Sequence, residues 1–369
     1  MELDNNTYNK LVDEIRHLVS QARHHVVYNI NTALLHTYWN IGRLIVAKEQ
    51  GKQYDESSIR QLLISLSKDL TRELGKGFSR SQLTYMRLFY LHFHTFPEET
   101  MLGLTASNQD KKPVKSVGLT VSNQLSWSHY HELLKCNSEE EISFYQQSAI
   151  HENWSVRELR RQIDSALFER IALSKDSKEI MELARKGSIV EKETDIVRDP
   201  VVLEFLNIPE HHQYSEKQLE QGLFDNLQKF IMELGKGFAF VGRQYRIILD
   251  NTPFYVDLVF YHRILKCFVL FDLKVRSVRH GDIGQMNLYL NYFEAEENVE
   301  GDNPPIGIIL SRQKDDIIVE YATRGISNKI FVSKYQLYLP DKKVLQNKLR
   351  ELLQAGVCAA DSTCITHGL

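Results

Sequence analysis

The sequence predicts two parts of different class: a mostly α-helical region over residues 8–172, then an α/β region over 199–350 ordered helix, three strands, helix, strand. Two observations carry this. In the first part apolar residues recur at helical spacing, as in Leu11, Ile15, Leu18 and Val19, and again in Leu34, Leu35, Tyr38, Ile41 and Leu44. In the second, FAFVGRQYRIIL, FYVDLVFYH and KCFVLFDLKV are short apolar runs rich in β-branched and aromatic residues, divided by turn signals. A chain of 369 residues that is 43% hydrophobic and 25% charged is long enough for two cores and excludes a fibrous or wholly disordered architecture.

Taken in order, SIRQLLISLSKDLTREL reads as an amphipathic helix ended by Gly75 and Gly77, where a left-handed cap is easiest. FSRSQLTYMRLFYLHF opens the next helix with Ser79 as its N-cap. A helix, a tight turn and a second helix opening at Arg80 have the outline of a helix-turn-helix or winged-helix unit; ordinary helical hairpins share it. Residues 97–122, rich in Pro, Gly, Ser, Asn and Lys without a period, read as a linker or long loop. LSWSHYHELLKC, EEEISFYQQSAIHE and SVRELRRQIDSALFERIAL then make three helices. The last carries a Ser155/Glu158 capping box and a basic face of Arg157, Arg160 and Arg161. Residues 173–198 read as a hinge.

SEKQLEQGLFDNLQKFIMELG reads as one helix before the strands, and Asp250, Asn251 and Thr252 before Pro253 make the turn between the first two. HGDIGQMNLYLNYFEAEE returns to helix, and PPIGIILS is a fully apolar fourth strand. LGKGF occurs at 74–78 and at 234–238, a repetition read as coincidence. The tail, 351–369, reads as disordered.

A formal net charge of −3 gives no global reason to bind nucleic acid, so any such face must be local. Arg72, Lys76, Arg80 and Arg87 form one candidate, and Arg263, Lys266, Lys274, Arg276 and Arg279 another; solvated surface charge explains most such runs. Cys136, Cys267, Cys358 and Cys364 make no C-x-x-C pair, so neither zinc nor a disulfide framework is indicated, and a reducing compartment fits. No signal peptide and no apolar run of about 18–20 residues is present, from which a cytoplasmic protein without a membrane span is expected. The His24/His25, His92/His94 and His129/His131 pairs lack the helical i, i+4 spacing with Glu of a zinc hydrolase and read as surface or capping residues.

The chemistry-bearing residues lie in the strands. Period two sets Asp257 with Tyr255 and Val259, opposite Val256, Leu258 and Phe260, and sets Asp272 and Lys274 on one face, opposite Phe271 and Leu273. Charges in strands that otherwise read as core must meet one another, solvent or a metal. One reading is a salt bridge between Lys274 and an aspartate, with the other carboxylate exposed. The other is a metal centre: two carboxylates and the Leu273 carbonyl are the hard oxygen ligands Mg²⁺ or Mn²⁺ prefers. Lys274 would then orient or help deprotonate an attacking water and offset charge on a phosphate.

D…(D/E)-x-K across consecutive strands, after a helix carrying an acid, resembles the PD-(D/E)XK nuclease superfamily. ELGKGFAFVGRQYRI, FYVDLVFYH, LFDLKV, GDIGQMNLYLNYF and NPPIGIIL are similar, segment by segment, to the YhcG family of bacterial PD-(D/E)XK proteins. YWNIGRLI, LSKDL, KGFSRSQLTYMRLFY, LSWSHY and NWSVRELRRQID are similar to that family's helical N-terminal domain, so the likeness runs from about residue 8 to about 350. The resemblance implies a restriction-endonuclease-like mixed sheet flanked by helices and a Mg²⁺-dependent endonuclease, with Mn²⁺ as substitute, acting on DNA in processing or in defence against foreign DNA. It implies that Asp257, Asp272 and Glu220 hold the metal with the Leu273 carbonyl, that Lys274 is the catalytic lysine, and that Gln285 lies near the scissile phosphate. Arg80, Arg87, Arg243 and Arg276 are the candidate nucleic-acid contacts; Tyr245 beside Arg243 is equally a core residue. Val256 stands where the superfamily name implies Pro, and Asp272 where Glu is also common. A homodimer is expected because a duplex has two strands, and the N-terminal region is a candidate site for protein partners. The alternative is a non-catalytic nucleic-acid-binding or regulatory protein that keeps the nuclease fold.

Overall fold

A computed structural model describes residues 5–50, 55–96, 119–122, 124–173, 175, 177–209 and 213–351. Most of the expected 97–122 linker, and the expected tail after Glu351 with Cys358 and Cys364, lie outside the described residues. The chain divides into two units, Met1–Ile150 with Trp154–Leu159, and His151–Asn153 with Arg160–Leu369. Among the described residues no helix is long and apolar enough to cross a membrane.

The first unit is helical: α1 (Asn5–Gln50), α2 (Glu56–Leu74), α3 (Arg80–His92), α4 (Trp127–Leu133) and most of α5 (Glu139–Glu152). Ile45, Leu63, Leu83 and Met86 form a core joining α1, α2 and α3. Gly42 lets α1 lie against the backbone of α3, where a Cβ would strike the Met86 carbonyl. Asp55 and Ser79 cap α2 and α3 by accepting from the Ser58 and Gln82 N–H groups, satisfying donors that a helix start leaves open. His129 takes a capping role, its Nδ1 accepting from the Ser126 N–H at the start of α4.

α6 (Val156–Asp164) is divided between the units after Leu159, and α7 (Leu167–Ala172) lies in the second. These were expected as one helix; Ala166, left-handed at φ 53°, breaks it. Ser155 caps α6 as expected, its Oγ accepting from the Glu158 N–H at 3.2 Å. Arg161 corrects the expected basic face, because it is folded inward onto Glu204 and Glu233 at 2.8 and 3.2 Å. Residues 173–198 contain α8 (Ser177–Lys186), which buries Ile180 and Ala184.

A six-stranded mixed sheet follows: β1 (Val201–Val202), β2 (Phe238–Leu249), β3 (Thr252–His262), β4 (Cys267–Ser277), β5 (Ile306–Gln313) and β6 (Lys329–Gln336), in the spatial order β1-β6-β5-β4-β3-β2. β2, β3 and β4 are antiparallel neighbours, and β5 joins β4 in parallel. Two helices precede β2 where one was expected, α9 (Glu216–Asp225) and α10 (Leu227–Leu234), because Asn226 leaves helical geometry at φ −115°, ψ 30°. α11 (His280–Tyr292) links β4 to β5, and α12 (Asp316–Thr323) links β5 to β6.

The sheet has a core on each face. Leu219, Leu223, Phe230 and Leu234 of α9 and α10 pack on Leu258, Phe260, Phe271 and Leu273. On the other face Ile283, Met286, Tyr289 and Leu290 of α11 pack on Val259, Leu270 and Ile309. Full burial of each such side chain contributes about 1.5–3 kcal/mol. At one edge of the unit the fully buried Glu233 accepts from Arg170 Nη1 at 2.9 Å, Arg161 Nη2 at 3.2 Å and the Val202 N–H at 2.9 Å.

Candidate active site

The site forms where the pairing of β3 with β4 stops. The ladder runs from His262–Cys267 to Leu258–Phe271 and ends one step before Asp257 would face Asp272. In the opened gap Asp257 Oδ2 accepts from the Leu273 N–H at 2.8 Å. A strand residue's N–H and C=O point to the same side, so the Leu273 carbonyl faces this gap too.

The alternation predicted around Asp257 is corrected by the structure. Leu258 and Phe260 pack on the α9/α10 face as expected, but Val256 packs with Val259 on the α11 face. In the neighbouring β2 the ladder slips between Phe240 and Gly242, and Gln244 is left-handed at φ 46°, a backbone choice of about 1 kcal/mol or more for a residue other than glycine.

Gln244 stands across from Asp257, and its Nε2 donates to Glu220 Oε2 at 2.7 Å and to Asp257 Oδ1 at 3.1 Å. Glu220, on α9, is thus joined to the strand-borne acid. On β4, Lys274 Nζ lies 2.6 Å from Asp272 Oδ2, with side chains only 9% and 6% exposed. The approach is off the line of a hydrogen bond, so that oxygen is buried without an aligned donor, as is Glu220 Oε1. Arg243 approaches Glu220 Oε1 only to 3.6 Å.

The electrostatics follow from this crowding. Burial, and then the Asp257 charge, raises the proton affinity of Glu220. Burial raises Asp257 against the opposing Leu273 N–H and Lys274. Burial pushes Asp272 up to about 7, opposed by Lys274 and reinforced by Asp257. Lys274 is held above its ordinary value although burial opposes it, because Asp272 is so near. Three carboxylates whose charge is disfavoured chiefly by burial, gathered at one place, mark a functional-site candidate.

The other predicted residues divide. Gln285 is exposed on α11, its Nε2 donating to Tyr289 Oη at 2.6 Å, and Tyr289 donates to the Tyr255 carbonyl at 3.0 Å; Gln285 is thus anchored by a tyrosine that feels the charges of Asp272 and Asp257. Arg243 is committed to α9, donating to Gln221 Oε1 at 3.0 Å and lying 4.6 Å over the Phe224 ring. Arg276 is committed to Asp282 by two bonds of 2.7 Å. Tyr245 is a core residue, its ring 5.2 Å from Phe293. In the first unit Arg87 donates to both Glu49 oxygens at 2.7 and 2.9 Å, while Arg80 is exposed at the start of α3.

Sequence reasoning missed Gln244, and it missed Glu216 and Asp282, whose charges are felt by Lys274 and Asp272 respectively. Gly242, inside a strand, was the available signal, since such a glycine marks a bulge.

Among the described residues no three histidine, cysteine or acidic side chains already close on one point as a preformed ion cage. Gln244, the Leu273 N–H and Lys274 turn the carboxylates towards themselves. The donor set nevertheless fits a hard divalent cation: Glu220 Oε1 and Asp272 Oδ2 are buried oxygens without an aligned hydrogen-bond donor, and both of these acids feel the charge of Asp257.

A core ordered helix, three strands, helix, strand, with an acid–acid–lysine set where two strands part, defines a nuclease domain of the PD-(D/E)XK class. The model described as the YhcG PDDEXK nuclease domain matches residues 194–350, and the DUF1016 N-terminal domain model matches residues 14–170. The Escherichia coli (strain K12) protein described as "Putative nuclease YhcG" is 38% identical over 352 residues, covering 93% of each chain. The chain belongs to the YhcG family. Among solved structures, a repair endonuclease from Pyrococcus abyssi (19% identity, TM-score 0.25) and an EndoMS–dsDNA2 complex (15% identity, TM-score 0.24) each match over 36% of this chain and 50% of their own. The chain thus spans about half the length of those structures.

Proposed function

We propose that this protein is a Mg²⁺-dependent endonuclease that hydrolyses DNA phosphodiester bonds, with Mn²⁺ able to replace Mg²⁺. The observation that carries the reading is the pair of buried carboxylate oxygens without aligned donors, Glu220 Oε1 and Asp272 Oδ2, on acids that both feel the charge of Asp257. Nucleases of this domain class generally use divalent ions, and DNA as substrate, in processing or in defence against foreign DNA, follows the family.

On this reading Glu220, Asp257, Asp272 and the Leu273 carbonyl hold the ion. A bound divalent ion supplies Lewis acidity, drawing charge from a phosphate oxygen and making water easier to deprotonate. Lys274 remains protonated beside Asp272 and offers its other donors to a phosphate oxygen or to the attacking water. Gln285, fixed by Tyr289, approaches the phosphate from α11. Arg243 and Arg276, held by Gln221 and Asp282, supply positive field at the margin more than direct contacts. The helical region, residues 8–172, recognises DNA or a protein partner, with Arg80 at the start of the second helix of a helix-turn-helix as the contact. A homodimer would bring one site to each strand.

The test is incubation of the purified chain with plasmid, linear, single-stranded and branched DNA, with Mg²⁺ or Mn²⁺. Cleavage of at least one substrate is expected, abolished by EDTA and about 100-fold weaker in Lys274→Ala. No cleavage of any substrate, or undiminished cleavage by Lys274→Ala, would overturn the reading and leave a non-catalytic nucleic-acid-binding protein.

A further inference from the structure

Gln244 is placed by two departures from regular strand geometry. An unslipped β2–β3 ladder, continued from Phe238–His262, would set Arg243 against Asp257; the slip between Phe240 and Gly242 instead pairs Arg243 with Leu258 and Tyr245 with Val256. Gln244 then falls opposite Asp257. Its backbone adopts φ 46°, a region in which glutamine is uncommon. The outcome of both departures is a single amide nitrogen within hydrogen-bond reach of two acids from different elements, Glu220 on α9 and Asp257 on β3.

Two neighbouring carboxylates repel, and without a bridge their side chains would turn apart. A lysine or arginine between them would hold them together but cancel the charge that attracts a cation. A neutral amide holds both and leaves their charge in place. Gln244 is also exposed, so it can yield when the carboxylates turn inward.

We infer that Gln244 is a positioning residue of the candidate metal centre, holding Glu220 and Asp257 near one another so that a divalent cation has only to turn the two carboxylates inward and not to gather them. The inference rests on the reading of that centre given above.

The experiment is calorimetric titration of the metal-free full chain with Mn²⁺, beside thermal unfolding, for the wild type, Gln244→Met, Gln244→Gly and Asp272→Asn. Met keeps the length of glutamine without its donor. Gly adopts φ 46° freely and removes the bridge without straining the backbone. Mn²⁺ affinity is expected to fall about tenfold in both Gln244 variants, with Gln244→Gly unfolding no earlier than the wild type. Wild-type affinity in Gln244→Gly would overturn the inference, even if Gln244→Met fails to fold, and would leave the metal centre standing. Mn²⁺ binding untouched by Asp272→Asn would overturn the centre itself, and the role of Gln244 with it.

Discussion

Lys274 Nζ lies 2.6 Å from Asp272 Oδ2, and both side chains are almost wholly buried. The salt bridge that the sequence offered as one of two readings is therefore present. The lysine is ion-paired to an aspartate, and the paired oxygen still lacks an aligned donor. Breaking such a pair by removing one partner is far more damaging than the pair is stabilising, so replacing Lys274 or Asp272 alone is expected to destabilise the second unit.

The proton affinity of Asp272 gives a pH signature. With its folded value raised from 3.8 to about 7, its stabilising contribution is full below 3.8 and is lost as pH rises through about 7, because the unfolded chain ionises first. In EDTA, the unfolding temperature of the wild type should therefore fall as pH rises from about 4 to about 7 relative to Asp272→Asn, and level off above that. Mn²⁺ must displace the proton, so its affinity should rise over the same interval. A flat difference between the two proteins would contradict this.

Glu233 bears on stability alone. It is fully buried, and although burial opposes its charge, Arg170, Arg198 and Arg161 hold it below the usual carboxylate range. Its contribution is present above its ordinary value of 4.5 and is lost as pH falls below that. Glu233→Gln should destabilise the second unit by about 3–5 kcal/mol in urea unfolding at neutral pH, since three guanidiniums lose their shared anion.

The two LGKGF segments provide an internal control. Gly77 and Gly237 have nearly the same backbone, φ 115° and 114°, but a Cβ on Gly77 meets open space while one on Gly237 comes within 2.5 Å of His262 Nε2. Gly77→Ala should lower stability by about 1–2 kcal/mol, the backbone term alone. Gly237→Ala should lower it by clearly more, because His262 is buried and cannot move aside. Equal shifts in melting temperature would show that His262 yields.

The two LGKGF segments also share a local geometry. Gly75 and Gly235 each end a helix at positive φ, 88° and 104°, and each sends its N–H back to the carbonyl four residues earlier, Thr71 or Ile231. The five residues encode one helix stop used twice, and what each stop meets is set by the unit around it.

The strand order, the helix after it and the Asp257, Asp272, Lys274 set were legible in the sequence, because period two and isolated charge in apolar runs are local properties. Glu220 and Gln285 came only with the family resemblance, since an acid or amide on a helix carries no local mark of its duty. Their places differ: Glu220 is bridged to Asp257, and Gln285 is anchored to Tyr289. Arg161 and Arg276 read as surface charge, yet each is paired, with Glu233 and Asp282 respectively, because partners distant in sequence or across a turn cannot be seen in a charge run.

The sequence by itself determined which residues are apolar at which period, and through that the two-part organisation, the succession of helix, three strands, helix and strand, and the charged triplet in two of those strands. Only the tertiary structure decided that β2 slips by one residue, that Gln244 turns left-handed to face Asp257, and that β3 and β4 part at the site. Register and strand separation are set by the packing of both faces of the sheet at once, and no single strand's pattern contains that balance.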